Sequence, residues 1–250
     1  MSFINQRKII TLLSLFLFAF ASSSRASPIG AVVQSSRYDA AKQVITFSLL
    51  NTSHKDISAY SMRVHVTHPD GTVGMWEYGG DFLPFMIATG GGAFAAGSTF
   101  TVDVPVGEQQ VQSASAMVDV VVYADASADV LNKQVFESIA SARKGRVVGL
   151  QKANEILQAA LADPNDPHPS ITVAAKLKAL AKQYETNPPK GYEDAGLGLL
   201  DAATNISNAP KSLTGRSDKE DAYLRALIKR HQEHIALMLP HTQLTKGVQP

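Results

Sequence analysis

Cysteine is absent from all 250 residues. That excludes disulfides, thiolate metal sites and an acylated lipoprotein cysteine. A surplus of either charge is missing too, with 23 Lys and Arg against 22 Asp and Glu, so the chain lacks the basic footprint of a nucleic-acid binder. Segment Ile9 to Ala21 is apolar except for Thr11 and Ser14. At about thirteen residues it falls short of the roughly twenty that span a bilayer. His-Glu-x-x-His and Gly-x-Ser-x-Gly are both absent. Gly90-Gly91-Gly92 lacks the Lys and Ser/Thr of a phosphate loop. Asp163-Pro-Asn165-Asp166 opens like a calcium loop, but no Glu stands at the twelfth position. No motif calls for a cofactor.

What is present begins with an export signal. Arg7 and Lys8 precede the apolar segment, and Ser24-Arg25-Ala26 puts small residues at −3 and −1 of a cut before Ser27. Residues 1–26 therefore read as a signal peptide, which places the protein in the periplasm or outside the cell with no transmembrane segment after cleavage. Without Arg7, Lys8 and Arg25 the chain holds 20 basic and 22 acidic side chains. Residues 27–128 carry net −5 and residues 129–250 net +3.

The front part alternates as half-buried strands do. Ile45, Phe47 and Leu49 share one face, and Met62, Val64 and Val66 share another opposite Ser61, Arg63 and His65. His68-Pro69-Asp70-Gly71 has the composition of a tight turn. Strands are predicted near 31–35, 44–50, 57–67, 72–78, 99–104 and 116–123, with almost no helix among them. No helical crossovers separate them, so an antiparallel sandwich is expected over residues 27–127.

Phe47-Ser-Leu-Leu-Asn51-Thr-Ser53-His-Lys55-Asp-Ile57 resembles the strand–Asn-x-Ser–strand opening of bacterial immunoglobulin-like domains, including those called FxLYD. Asp70-Gly71 and Ala96-Gly97 fall where that family often has a turn Asp-Gly and a Pro-Gly. The resemblance covers residues 30–124 and implies an immunoglobulin-like fold without implying chemistry.

From Ala128 aromatic residues thin out and Ala, Leu, Lys and Gln take over, so residues 128–250 are expected to form about four helices. Asp125, Ser127 or Asp129 is predicted to cap the first, which runs to Ala162 with a bend near Gly145 and Gly149. Ser170 is predicted to cap the second. The third covers 192–206. Ser217-Asp-Lys-Glu220 is a capping box opening the fourth. Met117, Val121 and Tyr123 of the last strand are the expected landing surface for the first helix. The fold class is α+β.

Two groups of residues invite a functional reading. Trp76, Tyr78, Phe82 and Phe85 stand among glycines, an arrangement that suits a sugar- or peptide-binding platform or, equally, the closing of a sandwich end. His231 and His234 are three apart on a helix and are weak metal candidates, though His231 also falls on the apolar stripe. The reading as a whole is an exported, non-enzymatic interaction or structural protein whose partner is another protein or a cell-envelope component, with no nucleic acid involved. The alternatives are a carbohydrate- or peptide-binding module using the Trp76–Phe85 loop, and a hydrolase with its site where the two halves meet.

Overall fold

Strands form where apolar and polar side chains alternate. In the computed structural model, which describes residues 29–90, 94–107, 110–192, 194–207, 217–243 and 245–246, these are β1 (Ala31–Asp39), β2 (Val44–Asn51), β3 (Ile57–Thr67), β4 (Val73–Asp81), β5 (Thr99–Pro105), β6 (Ser113–Tyr123), β7 (Ser127–Val130) and β8 (Thr245–Lys246). The predicted leader, its cut before Ser27, and Gly91 and Gly92 lie outside the described residues. One sheet has the order β1-β2-β5 and the other β4-β3-β6-β7-β8. All pairs are antiparallel except β7 with β8. The inward faces of both sheets meet in a core that includes Ile45, Phe47, Leu49, Met62, Val64, Val102 and Val104.

Turn chemistry fixes the β3–β4 hairpin and the passage from β2 to β3 between the sheets. Gly71 adopts a positive φ of 81° and its N–H reaches His68 O, while Asp70 Oδ1 accepts from Thr72 N. Asn51 Oδ1 accepts from Ser53 N, and its Nδ2 donates to Lys55 O. That buried amide therefore shapes the Asn-x-Ser turn from within.

Two β-bulges reset which residues face the core. Between β3 and β6 the register slips at Ser58 and again at Asp119, each residue being left without an opposite number. Hence Ala114, Ala116 and Val118 point into the sandwich, then Val121 and Tyr123 do, while Val120 and Val122 turn to the outer face. The predicted landing surface is corrected accordingly. Val121 and Tyr123 belong to the sandwich core, Met117 is exposed, and Val120 and Val122 receive the helix together with Ala59, Ala128 and Phe136.

Helix α1 (Leu83–Thr89) is a single short helix in a front part expected to hold almost none, with Pro84 in its first turn and Gly90 ending it at φ 68°. Helices α2 (Lys133–Ala162), α3 (Pro169–Thr186), α4 (Ala195–Ser207) and α5 (Asp218–Met238) follow, then a 3-10 turn Leu239–Thr242. None of the described helices is long and apolar enough to cross a membrane. Ser217 caps α5 as expected, its Oγ accepting from Glu220 N, but the caps predicted for α2 and α3 need correction. Asn132 caps α2, its Oδ1 accepting from Gln134 N and Val135 N, because residues 127–130 are claimed by pairing with β6. Asp129 instead accepts from Tyr123 Oη and Gly30 N, and Asp125 accepts from Ser127 N. His168 occupies the cap of α3 and Pro169 its first position. Ser170 N–H there donates to buried Glu220 Oε1 on α5, a carboxylate at a helix N-terminus.

α2 is the spine of the molecule. Its first turns lie on the outer face of the five-stranded sheet through Val135, Phe136 and Ile139. Farther along, Ala153, Leu157 and Ala160 join Val173, Leu177, Leu199, Ala202 and Leu224 in the helical core. The helix is continuous through Gly145 and Gly149, whose role is close approach to α4. A Cβ on Gly149 would stand 2.2 Å from Ala195 O, and one on Gly198 2.3 Å from Arg146 O. Gly149→Ala is therefore expected to destabilise by about 1–3 kcal/mol through overpacking against backbone. Gly196→Ala, whose added Cβ meets nothing nearer than 3.4 Å, should instead stabilise by up to about 1 kcal/mol through helix propensity. Thermal unfolding of both variants checks the contrast. Equal effects would refute the tight crossing.

Candidate functional site

The bulges bring polar groups to the boundary between sheet and helices. Ser58, pushed out of the ladder by its bulge, has its Oγ 3.2 Å from Val122 O and 3.1 Å from Tyr123 O. Arg143 of α2, only 1% exposed, reaches the same place. Its Nε and Nη2 each lie 2.9 Å from Asp81 oxygens, and Nη2 also donates to Ser58 Oγ at 3.1 Å. Nη1 is buried and has no acceptor among the described residues. His241, on the 3-10 turn, has its pKa lowered by burial and by the Arg143 charge, while Asp81 and Asp125 oppose the shift. At the second bulge, buried Asp119 takes a bidentate contact from Arg63 at 2.6 and 2.7 Å.

A cleft of about 310 Å³ opens between α1, α2, α4 and α5. Helical spacing assembles it. Arg146 and Leu150 are one turn apart on α2, and Arg230, His234 and Met238 mark successive turns of α5. Asp201, Thr204 and Asn205 come from α4, and Pro84, Phe85 and Ile87 from α1. Leu83, Val147, Leu150 and Met238 form a small core, with Ile87 and Ile235 against it, that holds α1 to the helices. Arg146 Nε stands 2.9 Å from Asp201 Oδ2, close as an ion pair but out of line for a hydrogen bond, so this buried donor lacks an aligned acceptor. Burial raises the Asp201 pKa against the pull of Arg146. Burial, then Arg230, lowers that of His234.

The four aromatics from the glycine-rich stretch do not share a surface. Trp76 and Tyr78 pack against the sandwich core, and Tyr78 Oη donates to Asp103 O of the facing sheet. Phe82 stacks on Tyr60 and meets Phe94 edge-on. Phe85 alone of the four is exposed, at 61%, and it lines the cleft. The two histidines also part. His231 is buried with Nδ1 2.9 Å from Asn154 Oδ1, whereas His234 faces the cleft. Among the described residues no three His, Asp or Glu side chains gather as metal ligands.

Reading the sequence missed Arg143, Asp81, Arg146, Asp201 and Arg230. The one available signal for Arg143 was a charged residue at a position where the apolar stripe of α2 continues, from Phe136 and Ile139 to Leu150. Compared with known protein families, curated proteins and solved structures, the chain matches none.

Proposed function

We propose that this is an exported, non-enzymatic interaction protein in which an immunoglobulin-like module offers one sheet face to a protein or cell-envelope partner, in the periplasm or outside the cell. The observation that carries this reading is the uncovered end of the five-stranded sheet. α2 occupies only the part around Ala59, Val120 and Val122. On the same outer face, Met75 stands opposite His65 and Met117 opposite Arg63, with Val73 at the strand's end. Val73, Met75 and Met117 are 64, 61 and 45% exposed. Three large apolar side chains on one sheet face, beside the free edge of β4, fit a surface made to be covered.

Cross-linking in cells from photoreactive residues at positions 75 and 117 of the full chain tests this. A discrete adduct at both positions, with none from exposed Ser35 on the other sheet, is the expected result. Absence of adducts at 75 and 117 would sink the reading.

One observation favours a second reading, a hydrolase at the junction, since Ser58, Asp81 and His241 lie in one region. Against it, Ser58 Oγ sits within hydrogen-bond reach of two backbone carbonyls and accepts from Arg143, so it has no base to activate it. Hydrolysis of any ester, peptide or glycoside that disappears in Ser58→Ala would establish that reading instead.

A further inference from the structure

The cleft beside α1 carries a chemistry that the sheet face does not use. Along α5 its lining changes from Arg230 through His234 to Met238, and along α2 from Arg146 to Leu150. One end is thus charged, and the other abuts the apolar cluster of Leu83, Leu150, Met238 and Ile87. Two guanidinium groups face one carboxylate. Asp201 is already engaged with Arg146, and Arg230 makes no ion pair among the described residues. The surplus positive charge therefore sits on Arg230, beside the His234 imidazole.

We propose that this cleft binds a small organic carboxylate with an apolar tail, its carboxylate held by Arg230 and His234 and its tail lying on Phe85, Ile87 and Met238. A guanidinium matches a carboxylate with two parallel donors, and a compact ammonium would not. Phe85 gives the apolar side its reason. A helix of seven residues exposes an aromatic ring that turns toward a cleft rather than into a core. A volume of about 310 Å³ is at the small end of ligand sites and suits a single small molecule. Burial first and the Arg230 charge second lower the His234 pKa, and an anion between the two groups would offset the second of these. None of Val73, Met75 or Met117 takes part, so the cleft stands or falls separately from the sheet face.

Titration calorimetry of the full chain with octanoate, with octanol as the uncharged control, tests the proposal. Saturable one-to-one binding of octanoate is expected, with octanol at least tenfold weaker. Arg230→Gln, on an exposed side chain, should weaken octanoate about 10- to 100-fold, the worth of a charged hydrogen bond. Phe85→Ala should weaken both ligands alike. Proton NMR should show the His234 pKa rising when octanoate is bound. Absence of saturable octanoate binding, octanol binding as tightly as octanoate, or unchanged affinity in Arg230→Gln would each overturn it. Loss of cross-links at positions 75 and 117 would leave octanoate binding untouched, which separates the two failures.

Discussion

Replacing Asp81 with alanine is expected to lower the unfolding free energy by about 3–5 kcal/mol, the usual cost of stranding one member of a buried ion pair. Arg143 is 1% exposed and Asp81 22%, so the arginine depends on its partner more than the reverse. Asp81 Oδ1 also accepts from Leu83 N at the start of α1, and that bond goes with it. Arg143→Met keeps an unbranched apolar stem in place and leaves behind the better-solvated carboxylate. Its cost should be smaller, though still above about 1 kcal/mol. Asp81→Leu combined with Arg143→Met removes both charges and should recover most of the loss. Urea unfolding of the four proteins decides the matter. If Asp81→Ala costs less than about 1 kcal/mol, or the double variant is worse than either single one, the pair does not act as described.

That pair also bears on how the halves relate. Arg143 comes from the long helix, Asp81 and Ser58 from the sheet, and the contact sits between the apolar patch around Phe136 and the one around Val147. Burial on both sides of an ion pair excludes water from it and raises the penalty for breaking it alone. Strain at this point is therefore felt by sheet and helix together.

Most strands were legible because alternation is a local property of the chain. β2 and β3 appear within a residue of their predicted limits. Parity across β6 was not legible. A bulge at Asp119 depends on pairing with a strand fifty residues away, and a single extra residue exchanges the inner and outer faces. β7 is four residues of mixed character, formed because β6 offers it backbone partners. α1 is too short for helical periodicity to register in a glycine-rich stretch. The cleft escaped notice for a different reason. Its residues lie in four separate segments, between positions 84 and 238, and no one of them is unusual for its helix. Of its lining only Phe85 and His234 stand out in the sequence, each grouped with other residues, and the fold parts Phe85 from Trp76, Tyr78 and Phe82 and His234 from His231.

Acid should expose the difference between those histidines. Burial depresses the His231 pKa to about 4, with smaller contributions from the neighbouring His234 and Arg230 charges. Its ring faces Asn154 of α2, and with the proton on Nδ1 it donates to Asn154 Oδ1. Nε2 is buried with no partner among the described residues, so a second proton would be a buried donor carrying charge. In the unfolded chain the same ring titrates near 6.5. Between those values the unfolded state binds more protons than the folded one, so stability is full above about pH 6.5 and falls as pH drops toward 4. Two and a half pH units correspond to about 3 kcal/mol, and the ring is too well buried for solvent to screen much of it. His231→Asn places an amide nitrogen where Nδ1 was and cannot titrate. It should be less stable than the parent at pH 7.5, from lost packing, and that deficit should shrink by about 3 kcal/mol at pH 4. His234 and His241 also have lowered pKa values; both remain in each protein, so their own titration cancels apart from the smaller coupling of His234 to His231. Urea midpoints at the two pH values measure it, and a deficit that stays constant would show that His231 titrates normally in the folded state.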